Sequence, residues 1–246
     1  MNRDSRNLFQ IYISDIDATP PALLRPFQEK FRILFSDCQY HLFGRDSLRA
    51  FIAETFGGDV LWAYDALLPY AYKADLGRYC LLYEFGGWYA DVTLKPVMGC
   101  QVTDKTQLVY FYDHGSGPCH ALHGCQNGLL YARRHHPLMM DLIERVVVNC
   151  RNKFYGVNPL SPTGPTLLGK LVAKYVPSVF CHYGHFMQLT PWHNRKNRAY
   201  VGPEGDIFAY HKTAWNPGSS AGSLDQMGAK GVNDYTKMWF AKEVYR

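Results

Sequence analysis

One short stretch holds side chains of the types and spacing needed to grip a charged ligand: Asp75, Arg78, Asp91 and Thr93. Asp75 and Arg78 stand three apart, and so share one helix face with Leu82. An isolated Asp-x-x-Arg is ordinarily a surface ion pair. Here the neighbouring positions are nearly all apolar, and charges on a helix buried nearly all round are paired or functional. A carboxylate so placed accepts from sugar hydroxyls, and a guanidinium holds phosphate or sugar oxygens. Asp91 ends the strand that follows. A strand-end carboxylate suits a divalent cation, which neutralises the charge that develops on a departing diphosphate.

The elements that must position these groups run from Tyr72 to Pro96. An apolar helix over Ala71–Phe85 breaks at Gly86-Gly87, and a strand over Trp88–Thr93 brings Asp91 to the carboxyl edge of a sheet, a common ligand position. Before it, the pattern predicts a strand at Leu8–Ser14, an amphipathic helix from Pro20-Pro21 to Arg32, and a strand at Cys38–Phe43. Helices follow, from Asp46 or Ser47 to Phe56 and from Asp59 to Leu68, separated by Gly57-Gly58. After it come strands at Thr106–Tyr112 and Gly128–Ala132, a helix at Pro137–Cys150, and another from Thr163 or Gly164 to Tyr175. Short strands at Phe186–Leu189 and Ile207–Tyr210, a Gly/Ser-rich loop at Asn216–Lys230 and a closing helix at Asn233–Val244 complete the chain. Strands alternating with helices, without repeat or linker, predict a single α/β domain over residues 1–246 with a mostly parallel sheet.

Composition narrows the function. The 246 residues are 47% apolar, enough for a substantial core. No apolar run approaches the roughly 20 residues that span a bilayer, and the first residues lack a signal peptide's apolar core. The expected place is the cytosol, with a peripheral position at the inner face of a membrane compatible with the basic clusters. Seven scattered cysteines without a Cys-x-x-Cys pair fit reduced thiols. A net charge of +5 argues against nucleic acid as partner. Its basic clusters, Arg133–His136 and His193–Arg198, suit an anionic small molecule or an acidic membrane surface. His114, Cys119, His120, His123 and Cys125 share one loop, but their spacing matches no zinc pattern. No Gly-x-Ser-x-Gly elbow and no Lys-Ser/Thr phosphate loop is present.

Taken together, the motifs resemble the sugar-binding region of the DXD-type retaining glycosyltransferases, the family 32-like group. That group includes bacterial capsule and lipopolysaccharide transferases, the yeast initiating mannosyltransferase and the large clostridial glucosylating toxins. The resemblance rests on Ala74-Asp75-Leu76-Gly77-Arg78-Tyr79, then Leu82-Tyr83-Glu84-Phe85-Gly86-Gly87-Trp88-Tyr89-Ala90-Asp91, and then Val92-Thr93. Fainter matches follow in order: Asn127 before an apolar strand, Thr163-Gly164-Pro165 opening a helix, and His211-Lys212-Thr213-Ala214-Trp215 near the end.

The resemblance implies a GT-A-like nucleotide-sugar-binding domain and a retaining transfer of a hexose, UDP-linked, to a glycan or lipid-linked saccharide in bacterial capsule or lipopolysaccharide synthesis. An effector that glycosylates a host protein is an alternative. By the same carry-over Asp75, Arg78 and Asp91 are catalytic. The nucleotide sugar would contact Ile13, Asp75, Arg78, Tyr89, Asp91, Asn127, Lys212, Thr213 and Trp215. Mn²⁺ or Mg²⁺ would sit on Asp91, Thr93 and His211. The departure is Thr93, which replaces the second carboxylate of the motif with a weaker neutral ligand. Three outcomes are open: a weakened metal site, neutralisation by Lys95, Lys212 or an arginine, or donor binding with catalysis lost.

Overall fold

A computed structural model of the chain describes residues 6–114, 124–175, 180–189, 198–212 and 224–246. Among these residues nine strands form one sheet: β1 (Asn7–Ile11), β2 (Gln39–Phe43), β3 (Gly87–Ala90), β4 (Lys95–Pro96), β5 (Leu108–Asp113), β6 (Cys125–Ala132), β7 (Cys181–Gln188), β8 (Arg198–Val201) and β9 (Ile207–Tyr210). Their spatial order is β2-β1-β3-β6-β5-β7-β8-β9-β4. The helices are α1 (Arg25–Leu34), α2 (Arg45–Thr55), α3 (Gly58–Ala66), α4 (Tyr70–Phe85), α5 (Pro137–Arg151), α6 (Pro165–Val172) and α7 (Tyr235–Phe240). None is long and apolar enough to cross a membrane.

The expected mostly parallel sheet is corrected to a mixed one. Parallel pairing is confined to β1 with β2, β1 with β3, and β5 with β7. The pairs β3–β6, β5–β6, β7–β8, β8–β9 and β4–β9 run antiparallel. The cause is connection length. Helices carry the chain between β1, β2 and β3, as a parallel crossover requires. β8 and β9, by contrast, are joined by a tight turn closed by Gly202 N–H to Asp206 O at 2.8 Å, which permits only antiparallel pairing.

Both faces of the central strands are buried, in period two. Phe9, Ile11, Tyr89, Tyr110 and Leu130 face a core shared with α2 to α6. Leu8, Trp88, Val109, Phe111, Leu129 and Tyr131 face a second core with Phe31 of α1, with Phe35 just past its end, and with Phe186 and Tyr200 of β7 and β8. α4 is apolar nearly all round, and it is buried accordingly at Tyr72 and continuously from Asp75 to Leu82. It stops at Gly86 and Gly87, whose φ angles of 64° and 114° an L side chain resists. A Cβ at Gly87 would also lie 2.5 Å from the backbone oxygen of Asn7, so glycine alone lets β3 enter beside β1.

Several boundaries shift from expectation. The strand after the glycine pair ends at Ala90, and Asp91 to Thr93 form a turn in which Leu94 N–H donates to Asp91 O at 3.0 Å. β6 starts at Cys125, which places Asn127 inside a strand. The closing helix shrinks to Tyr235–Phe240, capped by Asp234. The thiols of Cys38, Cys80, Cys100, Cys125 and Cys150 are free, and burial pushes those of Cys38, Cys125 and Cys150 up to about 12.

Candidate functional site

α4 delivers Asp75 and Arg78 into the interior, where each finds several partners. Asp75 accepts from Asn127 Nδ2 at 2.8 Å, from Thr163 Oγ1 at 2.7 Å and from Arg78 Nη2 at 3.1 Å. Arg78 also donates to Ala74 O at 3.2 Å and Asn127 O at 2.6 Å, and lies 4.3 Å over the Tyr89 ring. Tyr79 Oη donates to Thr163 O at 2.8 Å and accepts from Asn127 Nδ2 at 3.0 Å. Burial pushes the Asp75 carboxyl above the usual range, against the pull of Arg78, Thr163 and Asn127. Tyr89, Asp91 and Asp75 outweigh burial at Arg78 and hold its guanidinium charged. The cluster answers the cost of burying charge with partners on every side.

Arg78 links this interior to the rim. Its Nη2 also reaches Asp91 Oδ1 at 3.3 Å, and Tyr89 Oη donates to the same oxygen at 2.8 Å. The Asp91 backbone is fixed as well, its N–H donating to Gly128 O at 2.8 Å. The outcome is a carboxylate anchored through one oxygen, with its side chain 35% exposed, against 9% for Asp75 and 5% for Arg78. Of the three carry-over catalytic residues, only Asp91 is presented outward.

The remaining expected site residues divide. Asn127 is 5% exposed and engaged by Asp75 and Tyr79. Tyr89 holds Asp91. Ile13 lies two residues beyond β1 with its side chain in the main core. The chain after it is tied down by Ser14 Oγ to Lys230 O at 2.6 Å and by Asp15 N–H to Gly231 O at 2.9 Å. Thr93 is 7% exposed, in the turn after Asp91. β4 and β9 pair antiparallel through Lys95↔Tyr210, so the chain entering β4, with Thr93, and the chain leaving β9, with His211 and Lys212, lie toward the same end of that pair. His211 packs edge-on against Phe186 at 5.2 Å, and burial, with Lys212 and Arg198, holds its imidazole well below the usual range and hence neutral. Thr213 and Trp215 lie outside the described residues.

As a metal centre the described residues are incomplete. Among them no group of three or more His, Cys, Asp or Glu side chains stands together. Asp91 supplies one carboxylate, and Thr93 and His211 only neutral donors, so these residues do not by themselves make a coordination sphere for a hard cation. Of the zinc-like loop, residues 115–123 are outside the description; His114 instead meets His185 at 2.6 Å and Cys125 is buried in β6.

Sequence reasoning missed Gln10, Tyr79 and Tyr200. Gln10 is fully buried, accepts from Tyr40 Oη at 2.7 Å and reaches Asp91 O at 3.5 Å. A polar side chain inside an otherwise apolar strand was the available signal for it. Tyr79 enters the sequence pattern only as the aromatic of a motif, although it stands one turn from Asp75. Tyr200 sits on β8, a strand the pattern did not reveal.

No protein-family model matches the chain. In sequence it is similar to "Uncharacterized glycosyltransferase L373" of Acanthamoeba polyphaga mimivirus, 22% identical over 218 residues, which cover 85% of this chain and 83% of that relative. In structure it is similar to the PaToxG glycosyltransferase, with a TM-score of 0.53 at 14% identity over 70% of each chain. The UDP-bound glycosyltransferase domain from the YGT toxin aligns with a TM-score of 0.42 at 11% identity, over 65% of this chain and 56% of that one. The fold is GT-A-like, and in sequence the chain is similar to a glycosyltransferase.

Proposed function

We propose that the chain is a glycosyltransferase that binds a nucleoside-diphosphate sugar, UDP-linked, at the carboxyl end of β3 and transfers the hexose with retention. The proposal extends to membership of the DXD-type family 32-like group. The observation that carries it is the presentation of Asp91: one oxygen clamped by Tyr89 and Arg78, the side chain partly open, directly after a strand of a GT-A-like sheet.

Charge decides what Asp91 meets. Asp75 and Asp91 flank the single guanidinium of Arg78, so its charge is already met within the protein. Such a centre favours a cation or sugar and ribose hydroxyls over a bare phosphate. Asp91 would be the one protein carboxylate to hold a Mn²⁺ or Mg²⁺ ion brought by the diphosphate, and such an ion would supply neutralisation of charge on the departing group. The protein's own contribution on the phosphate side is Lys212, just past β9 and toward the same end of the β4–β9 pair as Thr93. In the transfer itself, the bond from the anomeric carbon to the diphosphate oxygen breaks while the acceptor oxygen bonds the same carbon from the same face. The acceptor's proton leaves to the departing diphosphate. Fixed dipoles and charges lower the barrier, since they need no reorganisation as charge moves. As acceptor we propose a glycan or lipid-linked saccharide, of the kind built into bacterial capsule or lipopolysaccharide.

Thr93 favours one second reading, a nucleotide-sugar-binding protein whose turnover has been lost with the second carboxylate. Both readings are tested by titrating UDP- and GDP-sugars with Mn²⁺ and with chelator, and by following donor hydrolysis. Tight donor binding with slow hydrolysis, both weakened in Asp91→Ala, is the expected result. Absence of donor binding, with Asp91→Ala indistinguishable from the parent, would sink the proposal. Binding without turnover for any acceptor selects the second reading.

A further inference from the structure

Tyr200 is fully buried on β8, its ring edge-on to Phe111 at 5.1 Å and beside Phe186 at 5.0 Å. Its packing is entirely that of an apolar residue, yet it carries a hydroxyl. That hydroxyl is buried: the Gly128 backbone approaches its oxygen, but no described residue accepts its proton. Leaving a buried hydroxyl unmatched costs free energy that phenylalanine would avoid. Such an expense in a packed core points to a second state in which the hydroxyl is used.

The surroundings identify its partner. A Cβ placed on Gly128 would lie 2.6 Å from Tyr200 Oη and 2.7 Å from Asp91 Oδ2, so the two oxygens border one small space that only glycine leaves open. Tyr89 and Arg78 are both committed to Oδ1, and no described residue donates to Oδ2. Asp113 is the other carboxylate whose charge bears on Tyr200, but its Oδ2 already accepts from Gln126 at 2.6 Å. Tyr200 is therefore an O–H donor standing next to an anchored carboxylate whose second oxygen has no donor.

We propose that Tyr200 is a positioning residue for Asp91: when the nucleotide sugar binds, the Tyr200 hydroxyl donates to Asp91 Oδ2 and fixes the carboxylate in its working rotamer. The inference rests on the donor-site reading above and adds to it a residue on the far sheet half. Clamped at Oδ1 by Tyr89 and at Oδ2 by Tyr200, Asp91 turns its remaining lone pairs in a single direction. Preorganisation of this kind is worth most where charge develops during transfer.

The test compares the parent, Tyr200→Phe, Asp91→Asn and the double variant in calorimetric titrations with UDP and UDP-glucose, alongside thermal unfolding without ligand. Tyr200→Phe removes the unmatched hydroxyl, so its melting temperature is expected to rise by about 2–4 °C. Its nucleotide affinity is expected to fall about 10- to 100-fold, the range for a hydrogen bond to a charged group. In the Asp91→Asn background the same change is expected to have little further effect, because the two residues act as one unit. A hydroxyl with a purely structural partner would instead lower the melting temperature and leave affinity alone, which overturns the inference. Equal affinities of parent and Tyr200→Phe, or a full loss that persists in the Asp91→Asn background, overturn it too while leaving the donor-site reading intact. A parent that binds neither ligand removes that reading and the inference with it.

Discussion

Asp75 and Asp91 are both bound to the guanidinium of Arg78, yet they live in different electrical worlds. Asp75 is enclosed and accepts from Arg78, Asn127 and Thr163. Asp91 is partly open and anchored through Oδ1 alone. A ligand gains little by competing for a carboxylate whose acceptor sites are already filled, whereas Asp91 has capacity left. The difference teaches that a motif residue can serve a site from below. The inner cluster stores the geometry and the outer carboxylate uses it.

The most damaging way to test that division is to remove Arg78. Arg78→Met leaves Asp75 buried without its counter-charge, and a loss of about 3–5 kcal/mol in unfolding free energy is expected from urea denaturation. A loss under about 1 kcal/mol would mean that the inner cluster is not structural. On the same buried side, His136 caps α5, its Nδ1 accepting from Leu138 N–H at 3.2 Å, and burial lowers its pKa to about 4. The unfolded chain therefore takes up the proton first. Stability is full above the unfolded value of roughly 6.5 and falls by about 3 kcal/mol as the pH drops through that window to about 4. His136→Asn, which keeps a capping acceptor, is expected to flatten that acid limb in denaturation curves recorded from pH 7 to 4.

At the rim the expected effects move from stability to binding. Asp91→Asn keeps an acceptor for Tyr89 and sits where its side chain is partly solvated, so its unfolding free energy should stay within about 1 kcal/mol of the parent. Its donor affinity should fall at least about ten-fold. Comparable losses in both measurements would erase the distinction between the two carboxylates. Thr93→Asp supplies the second carboxylate, and donor titrations with Mn²⁺ should then tighten by several-fold, with no gain in chelator. A gain that persists in chelator would assign the effect to something other than a cation.

How much of this was legible in the chain follows from how local each signal is. Asp75 and Arg78 could be read because three residues on an apolar helix fix a shared face, and the Gly86-Gly87 break because φ preferences are local. Asn127 and Thr163 could be placed only by resemblance, since a helix meets a strand and a later loop through contacts of long sequence separation. The mixed sheet went unread because helix–strand alternation before residue 90 resembles a parallel fold, while the short strands β4 and β8 carry too few residues for a period to show. Tyr200 was invisible for the same reason. Nothing in Arg-Ala-Tyr-Val announces that one of its side chains points at a turn more than a hundred positions away.

The close approach of Gly87 to Asn7 has a consequence for how this molecule tolerates change. Asp91 is four residues from that contact, and its own N–H is tied to Gly128, so its aim is set by main-chain atoms at both ends. Replacing the side chains around it changes what clamps the carboxylate but leaves this main-chain mounting alone. A single methyl group at residue 87 or 128 would shift the mounting itself. Mutational scanning should therefore find, besides the side chains that clamp Asp91, two brittle places that carry no side chain at all.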